Sequence, residues 1–335
     1  MAAEFDPWGF TGTLSWIVIL LVWFIVLSAQ KDYTLKESHG MVILALRGAS
    51  LLPLFMTFIF ISLWWPDAYP VMKIPGAFFE GYGVYCMWGL MVRQCGGWKG
   101  ARDAFMKSNR NICWPLETPD QCETFYNNAN SAIWQFGIVR PYVVTLAAIC
   151  DLAGVMRVYL VFTAIAAIST LVMLPYLFLS AHVMYDYCAD LNIIVKLAVV
   201  KVAVGAVLIE DVVQQIMFQT NALDIPDTPG LDGYTESSQY IRIYCTLALL
   251  EGVLLCIPLY LGFSPKMDLS TAAKAIAELE EDTSSDEGRG SGLDKVDVSW
   301  WDFMVSILFN PWQFPVDKVV NENEQEKEGL LDNKA

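Results

Sequence analysis

The stretch TLSWIVILLVWFIVLSAQ, residues 13–30, is apolar along almost its whole length and is long enough to cross a lipid bilayer. A spanning helix needs about 20 mostly apolar residues. Six further apolar runs follow, and the predicted spans are 13–30, 40–65, 74–93, 133–152, 155–181, 191–219 and 240–263. Because helices and closed barrels alone satisfy the backbone in lipid, runs of this length predict an all-α, polytopic membrane protein with a seven-transmembrane helix bundle over residues 13–263.

The composition of the chain agrees with a membrane protein. Of its 335 residues 55% are hydrophobic and only 17% are charged, which is too apolar for a soluble domain of this size. A basic nucleic-acid footprint is absent from the sequence, so we expect no nucleic-acid partner. Acidic Glu4 and Asp6 precede the first apolar run, where a cleavable signal peptide would carry basic residues. We therefore interpret this run as the first membrane helix.

The charges of the connecting loops predict the orientation. The loop after the sixth span carries acidic residues and no base. Loops rich in Lys and Arg remain in the cytosol. We therefore expect residues 1–12 to form a short extracellular N-terminus and residues 264–335 to form a cytosolic tail. The bases that decide this orientation follow the third span and are Arg93, Lys99, Arg102, Lys107 and Arg110.

The tail differs in composition from the rest of the chain. From residue 264 onward it holds 16 acidic and 7 basic residues. Residues 278–292 are acidic and rich in Ser and Gly, so we expect disorder there. Residues 298–314 form an amphipathic aromatic stretch that is too short to span a bilayer. This stretch either lies on the membrane surface or packs under the bundle.

The end of the tail has the form of an acidic dileucine sorting signal, built from Glu326, Leu330 and Leu331. In an extended cytosolic terminus, the two Leu side chains would fill an apolar pocket of a clathrin adaptor while the carboxylate meets a basic patch. The motif predicts cycling between the plasma membrane and endosomal or vacuolar membranes. The alternative is a disordered acidic end without a sorting role.

Catalytic and metal-binding motifs are missing from the sequence. It contains no phosphate-binding loop and no GxSxG or HExxH motif, and its eight cysteines and two histidines follow no zinc spacing. We therefore expect no enzyme activity, no cofactor and no metal site. Cys95, at the predicted cytosolic mouth of the third span, is either a palmitoylation site or a plain free thiol.

Charged side chains lie inside the predicted spans, where an ionised group is costly. Some of them could reach the membrane surface along their own stems. Several could instead face a common polar cavity and pair with one another, and we expect Glu80, Arg140, Lys201 and Glu251 to face the bundle interior. Residues four apart share a helix face, so Glu210 and Gln214 are expected to line up. The candidates for a polar core or substrate pathway are Arg47, Glu80, Arg140, Lys196, Lys201, Glu210, Asp211, Gln214 and Glu251.

Short motifs in a fixed order carry a family resemblance. They are RGASLLP (47–53), FFEGYGVY (78–85), CWPL (113–116), AIWQFGIVRPYVVT (132–145), KLAVVK (196–201) and ALLEGVLL (248–255). In this order they resemble the organic solute transporter alpha / transmembrane protein 184 family over about residues 14–265. The family usually has a Trp-Gln pair where this chain has Ile209-Glu210, and the run of cysteines near the end of its third span is reduced here to Cys95.

The resemblance implies seven helices, an outside N-terminus and a polar site within the membrane. Alpha-type members work with a small single-span beta subunit and move bile acids, conjugated steroids and similar amphipathic anions by facilitated diffusion. A homo-oligomer is the alternative assembly. Family-type positions are occupied by Arg47, Pro53, Glu80, Tyr82, Tyr85, Gly96, Gly97, Gln135, Arg140, Pro141, Lys196, Lys201 and Glu251. The resemblance thereby adds Tyr82, Tyr85 and Gln135 to the candidates for the polar core or substrate pathway.

Two other classes of membrane protein share parts of this pattern. A seven-helix receptor has the same number of spans, but MVRQCGG stands at the end of the third span and CIPLY in the seventh, where receptor motifs would be expected. A trafficking or scaffold protein without transport activity would be built around the tail. If the intramembrane charges converge on one cavity, a transporter is favoured over both of these classes.

Overall fold

Helices account for the apolar runs in the part of the chain that the structure describes. The computed structural model describes residues 6–33, 39–107, 118–188, 195–197, 199 and 234–263. These residues contain no β-strand. A short 3-10 turn, Pro66–Ala68, precedes the fourth helix. The helices are α1 (Pro7–Tyr33), α2 (His39–Ala49), α3 (Leu51–Trp64), α4 (Tyr69–Gln94), α5 (Gly97–Lys107), α6 (Pro119–Leu152), α7 (Met156–Val183), α8 (Tyr185–Cys188) and α9 (Glu236–Phe263).

Five described segments are long and apolar enough to cross a membrane: Pro7–Lys31, Ile43–Trp64, Pro119–Leu152, Met156–Val183 and Ser237–Phe263. They correspond to the first, second, fourth, fifth and seventh predicted spans. The third predicted span forms α4, which is 26 residues long but is less apolar because of its Gly and Tyr residues and Glu80. Nearly all of the sixth predicted span, and the whole tail from residue 264, lie outside the described residues.

The second predicted span is divided at Ser50 into α2 and α3. Pro53 has no amide hydrogen, so it cannot continue the ladder of helical hydrogen bonds across this point. The Leu46 carbonyl accepts both the Ser50 amide at 2.9 Å and the Ser50 hydroxyl at 2.8 Å, so the last turn of α2 is closed at Ser50. The two parts still follow one another closely enough to count as a single membrane span, Ile43–Trp64.

The loop predicted between the third and fourth spans contains helical segments that the sequence analysis missed. Gly96 and Gly97 turn the chain from α4 into α5 with φ values of 87° and 89°, a region that glycine enters without steric cost. Helix α6 begins at Pro119 and not near residue 133. A capping box explains this start, since Thr118 and Gln121 exchange side-chain and backbone hydrogen bonds of 3.3 and 3.1 Å.

Contacts between α1 and α9 show that these helices run parallel. Asp6, just before α1, pairs with Arg242 near the start of α9. Toward their other ends, the Gln30 side-chain amide donates to the Phe263 carbonyl at 2.6 Å. The end of the bundle that holds Asp6 is called the N-terminal end below, and the other is called the opposite end.

The central helices α4 and α6 run antiparallel. Trp88 Nε1 donates to Asn130 Oδ1 at 3.3 Å, and Glu80 pairs with Arg140 nearer the N-terminal end. Helix α7 folds back along α6, and α3 runs antiparallel to α4. The short connections 64–69 and 152–156 therefore both lie at the N-terminal end. The turn at Gly96-Gly97 lies at the opposite end.

Rows of large apolar side chains face outward on α1 and α7. Leu21 and Phe24 on α1 and Ile168 and Leu171 on α7 are each more than half exposed. A soluble monomer rarely shows apolar surface on this scale. These rows are therefore suited to contact with lipid tails.

Candidate functional site

Two glycines allow α4 and α6 to approach closely at their crossing point. A Cβ atom built on Gly81 would lie 3.0 Å from Gly137 Cα and 3.2 Å from its carbonyl oxygen, so only glycine fits there without a shift of the backbone. Small residues at helix crossings in membranes permit such close packing. Glu80 is adjacent to one glycine and Arg140 lies one turn beyond the other. The crossing thereby sets the distance between these two charged residues.

Glu80 and Arg140 form a buried ion pair at this crossing. Arg140 Nε donates to Glu80 Oε2 at 2.6 Å. Arg140 is only 4% exposed and Glu80 only 2%. Arg140 Nη1 donates to Thr170 Oγ1 on α7, also at 2.6 Å. The Phe136 ring lies beneath the guanidinium, with its centroid 5.5 Å from Cζ. Three helices therefore hold Arg140 in one orientation.

The pair compensates the cost of placing two charges inside the bundle. An ionised group in a low-dielectric interior is tolerated when it is paired and hydrogen-bonded. Nε and Nη1 of Arg140 are both bonded, whereas Nη2 makes no hydrogen bond among the described residues. One donor of a rigid cation is therefore available to another acceptor.

A cleft between the hairpins α3–α4 and α6–α7 leads to this pair. The space in and in front of the cleft, open solvent included, amounts to about 880 Å³. Aromatic and aliphatic side chains form most of its wall, and the Glu80–Arg140 pair lies at the end of the lining farthest from the N-terminal end of the bundle, about midway along α4 and α6. The lining residues are Phe55, Phe58, Ile59, Ser62, Tyr69, Pro70, Met72, Lys73, Ala77, Glu80, Arg140, Val144, Ala147, Ala148, Asp151, Tyr159, Thr163, Ala166, Ala167 and Tyr244.

Lys73 and Asp151 lie nearer the N-terminal end of the cleft. Lys73 Nζ is 4.5 Å from the centroid of the Tyr69 ring, a cation–π contact. The Tyr69 ring meets Tyr244 of α9 edge-on, with 5.7 Å between their centroids. Lys73, Asp151, Glu80 and Arg140 are the four charged residues of the lining, and their formal charges sum to zero. Recognition of a charged ligand would therefore depend on directed hydrogen bonds and not on a net field.

Polar side chains continue from Arg140 toward the opposite end. Gln135, five residues earlier on α6 and therefore about 7.5 Å along the helix, donates from Nε2 to Ser169 Oγ at 3.0 Å. Its Oε1 is buried without a hydrogen-bond partner in the described part of the chain. Tyr85 packs against Trp134 with 4.9 Å between ring centroids. Polar groups thus extend beyond the ion pair.

Arg47, Tyr82 and Lys196 lie apart from the cleft lining. Arg47 is 6% exposed, and its Cζ lies 6.0 Å from the centroid of the Tyr82 ring. Lys196 is buried, with Nζ 5.7 Å from the centroid of the Phe263 ring at the end of α9. Both cations contact aromatic faces, which accommodate a buried positive charge.

Glu251 faces away from the cleft among the described helices, and its interior position stays a prediction because residues 200–233 lie outside the described residues. It is exposed on α9, on the same face as Leu247 and Leu254. The opposite face of α9 is the one that packs, because Leu249 and Gly252 contact other helices there. The structure brings together Glu80 and Arg140 from the predicted set. Lys201, Glu210, Asp211, Gln214, Glu326, Leu330 and Leu331 lie outside the described residues.

The sequence analysis missed a second buried charge cluster, at the N-terminal end. Arg242 is fully buried and pairs with Asp6, and its Nη1 donates to Tyr234 Oη at 2.6 Å. Its Cζ lies 5.6 Å from the Trp64 ring centroid. Asp6 also accepts the Gly9 amide at 2.9 Å and so caps α1. The Asp-Pro pair before an apolar run was a signal that could have marked this cap.

The family model described as organic solute transporter Ostalpha matches residues 7–267. The chain belongs to the organic solute transporter Ostalpha family. The match covers all the described helices and therefore includes the cleft and the ion pair. No curated protein and no solved structure matches the chain.

Membership in the Ostalpha family identifies the chain as an integral membrane protein and a solute transporter. This is a transporter family and not an enzyme family. The assignment agrees with the outward apolar rows of α1 and α7. The transporter reading is thus supported over the receptor and scaffold alternatives.

Proposed function

We propose that this Ostalpha-family transporter binds amphipathic organic anions, such as steroid conjugates, in the cleft above Glu80 and Arg140 and moves them by facilitated diffusion. The observation that carries the proposal is the position of Arg140. Its guanidinium lines the cleft, is fixed by Glu80 and Thr170, and keeps Nη2 without a hydrogen bond among the described residues. A preoriented guanidinium is well suited to a sulfate or carboxylate oxygen.

The walls of the cleft support an amphipathic ligand. Ligand sites are mostly apolar with a few convergent polar groups. Phe55, Phe58 and Ile59 supply the apolar surface, and Arg140 with Lys73 supplies the donors. A rigid hydrocarbon body would lie along the apolar wall while its anionic group meets Arg140. Beyond this pair, Gln135 continues the polar route.

Uptake into proteoliposomes tests this proposal. A sulfated steroid and its uncharged parent would be compared, with and without a candidate single-span beta-type subunit. We expect saturable uptake of the sulfate in the wild type. Replacing both charges together, as Glu80→Met with Arg140→Met, avoids leaving one buried charge unpaired and should abolish saturable sulfate uptake.

A matched control separates the site from a general loss of positive charge. Arg157 is exposed at the start of α7 and does not line the cleft. Arg157→Met should transport normally. Saturable sulfate uptake at wild-type rate by the Glu80→Met/Arg140→Met variant would show that the substrate passes elsewhere.

We also propose the seven-span topology with an extracellular N-terminus and a cytosolic tail. The support is that α7 ends at the opposite end of the bundle whereas α9 begins at the N-terminal end. The chain between them must return, and the apolar run 191–219 is long enough to do so. Protease added outside sealed cells should leave a C-terminal tag intact. Removal of the tag would contradict this orientation.

A further inference from the structure

Two cysteines meet at the opposite end of the bundle. Cys95 follows α4 directly and precedes the Gly96-Gly97 turn, and it is partly exposed. Cys188 ends the short helix α8 and is fully buried. Helix α8 packs against α4, and the thiol of one cysteine is hydrogen-bonded to the thiol of the other. Both are free thiols in this structure.

The two thiols are chemically unequal. The hydrogen bond from Cys188 lowers the pKa of the Cys95 thiol, whereas the same bond together with burial raises the pKa of the Cys188 thiol. The thiolate is the nucleophilic form of cysteine. The partly exposed Cys95 is therefore the group that a reagent in solution reaches first, and Cys188 is placed behind it.

We propose that Cys95 and Cys188 form a reversible intramolecular disulfide that responds to a low-molecular-weight disulfide such as oxidised glutathione. The Cys95 thiolate attacks one sulfur of the oxidant, forms a mixed disulfide and releases one thiol. Cys188 then loses its proton, attacks the Cys95 sulfur and releases the second thiol. Two protein thiols are oxidised and one small disulfide is reduced to two thiols, so electrons and protons balance.

The location gives the bond a consequence for transport, and this part rests on the proposed function. Cys95 is continuous with α4, which carries Glu80, and Cys188 is continuous through α8 with α7, which carries the Thr170 partner of Arg140. A covalent link would tie together the opposite ends of two cleft-forming helices. On the predicted orientation this end faces the cytosol, where thiols are kept reduced. The reduced pair is therefore the resting state and the disulfide is a brake on transport.

The test uses the purified full-length protein in buffers of increasing oxidised-to-reduced glutathione ratio, followed by alkylation and peptide mass spectrometry. We expect a Cys95–Cys188 linked peptide that appears with the oxidised ratio and disappears on reduction. In Cys188→Ser, Cys95 should instead accumulate a stable glutathione adduct. Cys150→Ser, which removes a thiol of α6 outside this pair, should leave the linked peptide unchanged.

Several results would overturn the inference. One is an oxidised sample without the linked peptide, and another is an acyl group that permanently occupies Cys95. Equal alkylation rates of Cys95 in the wild type and in Cys188→Ala, which removes the hydrogen-bond donor, would contradict the activation of Cys95 by its partner at neutral pH. If protein shown to be fully disulfide-linked took up steroid sulfate at an unchanged rate, the proposed inhibition of transport would be wrong, whereas the disulfide itself would stand. Because the peptide measurement does not use transport, failure of the disulfide is distinct from failure of the proposed function.

Discussion

Substitution of Gly81 by Ala tests the helix crossing that positions the ion pair. The new Cβ would lie 3.0 Å from the Cα of Gly137, a backbone atom that cannot rotate away, so α4 and α6 must separate by a few tenths of an ångström. Overpacking of this kind costs about 1–3 kcal/mol. The Glu80–Arg140 hydrogen bond of 2.6 Å would lengthen with the separation.

Gly137→Ala is the matched control, because its Cβ would meet its nearest atom, the Gly81 carbonyl oxygen, at 3.8 Å, an ordinary contact. Each substitution gains about 1 kcal/mol of helix propensity, so this term cancels between the two variants. Gly81→Ala should therefore be less stable than Gly137→Ala by about 1–3 kcal/mol, the steric cost alone. Thermal unfolding of the purified full-length variants in detergent measures the difference. Equal stabilities would refute the close crossing.

Three further predictions concern other parts of the chain. Asp6→Asn keeps the helix cap but removes the charge that faces buried Arg242, so the free energy of unfolding should fall by roughly 1.5–3 kcal/mol in a thermal unfolding assay. Asp6→Ala also removes the cap and should lose about 1 kcal/mol more. Equal losses in the two variants would contradict the capping role. Thr118→Ala breaks the capping box of α6 and should cost about 1 kcal/mol in the same assay, with no effect on transport; normal stability would contradict it. Replacing Leu330 and Leu331 together with Ala should shift a tagged protein toward the cell surface in microscopy, and an unchanged distribution would remove the sorting proposal.

Hydropathy located the helices because the apolar runs are long. Their ends were less predictable, since local hydrogen bonds decide them. The segment NNANS before residue 133 is polar and was read as loop, yet the cap at Thr118 starts α6 ahead of it. Recognising the capping motif would have extended this helix.

An interior position of Glu80 and Arg140 and pairing among the buried charges were predicted from the sequence, whereas the identity of the two partners was not. These residues are 60 positions apart, and their contact depends on the close crossing at Gly81 and Gly137. Nothing in either helix alone specifies that crossing. The partner of each buried charge could therefore be identified only from the structure.

The direction in which Glu251 points is difficult to predict for a related reason. Helix α9 carries apolar side chains on both its packed face and its outward face, for example Leu249 and Leu254. Hydropathy alone cannot distinguish two apolar faces of a membrane helix, because lipid and protein interior are similarly apolar. The presence of one carboxylate on such a helix therefore does not show which face of the helix points toward the protein interior.

Ligand-dependent stability of the purified transporter tests the Arg140 site most directly. A ligand that binds only the folded protein stabilises it by about 2.7 kcal/mol at 100 times its dissociation constant. A steroid sulfate should raise the unfolding temperature of the wild type well above the effect of its uncharged parent. In Glu80→Met/Arg140→Met the two ligands should act alike. An undiminished preference for the sulfate in that variant would contradict the assignment of Arg140 as the anion-binding group.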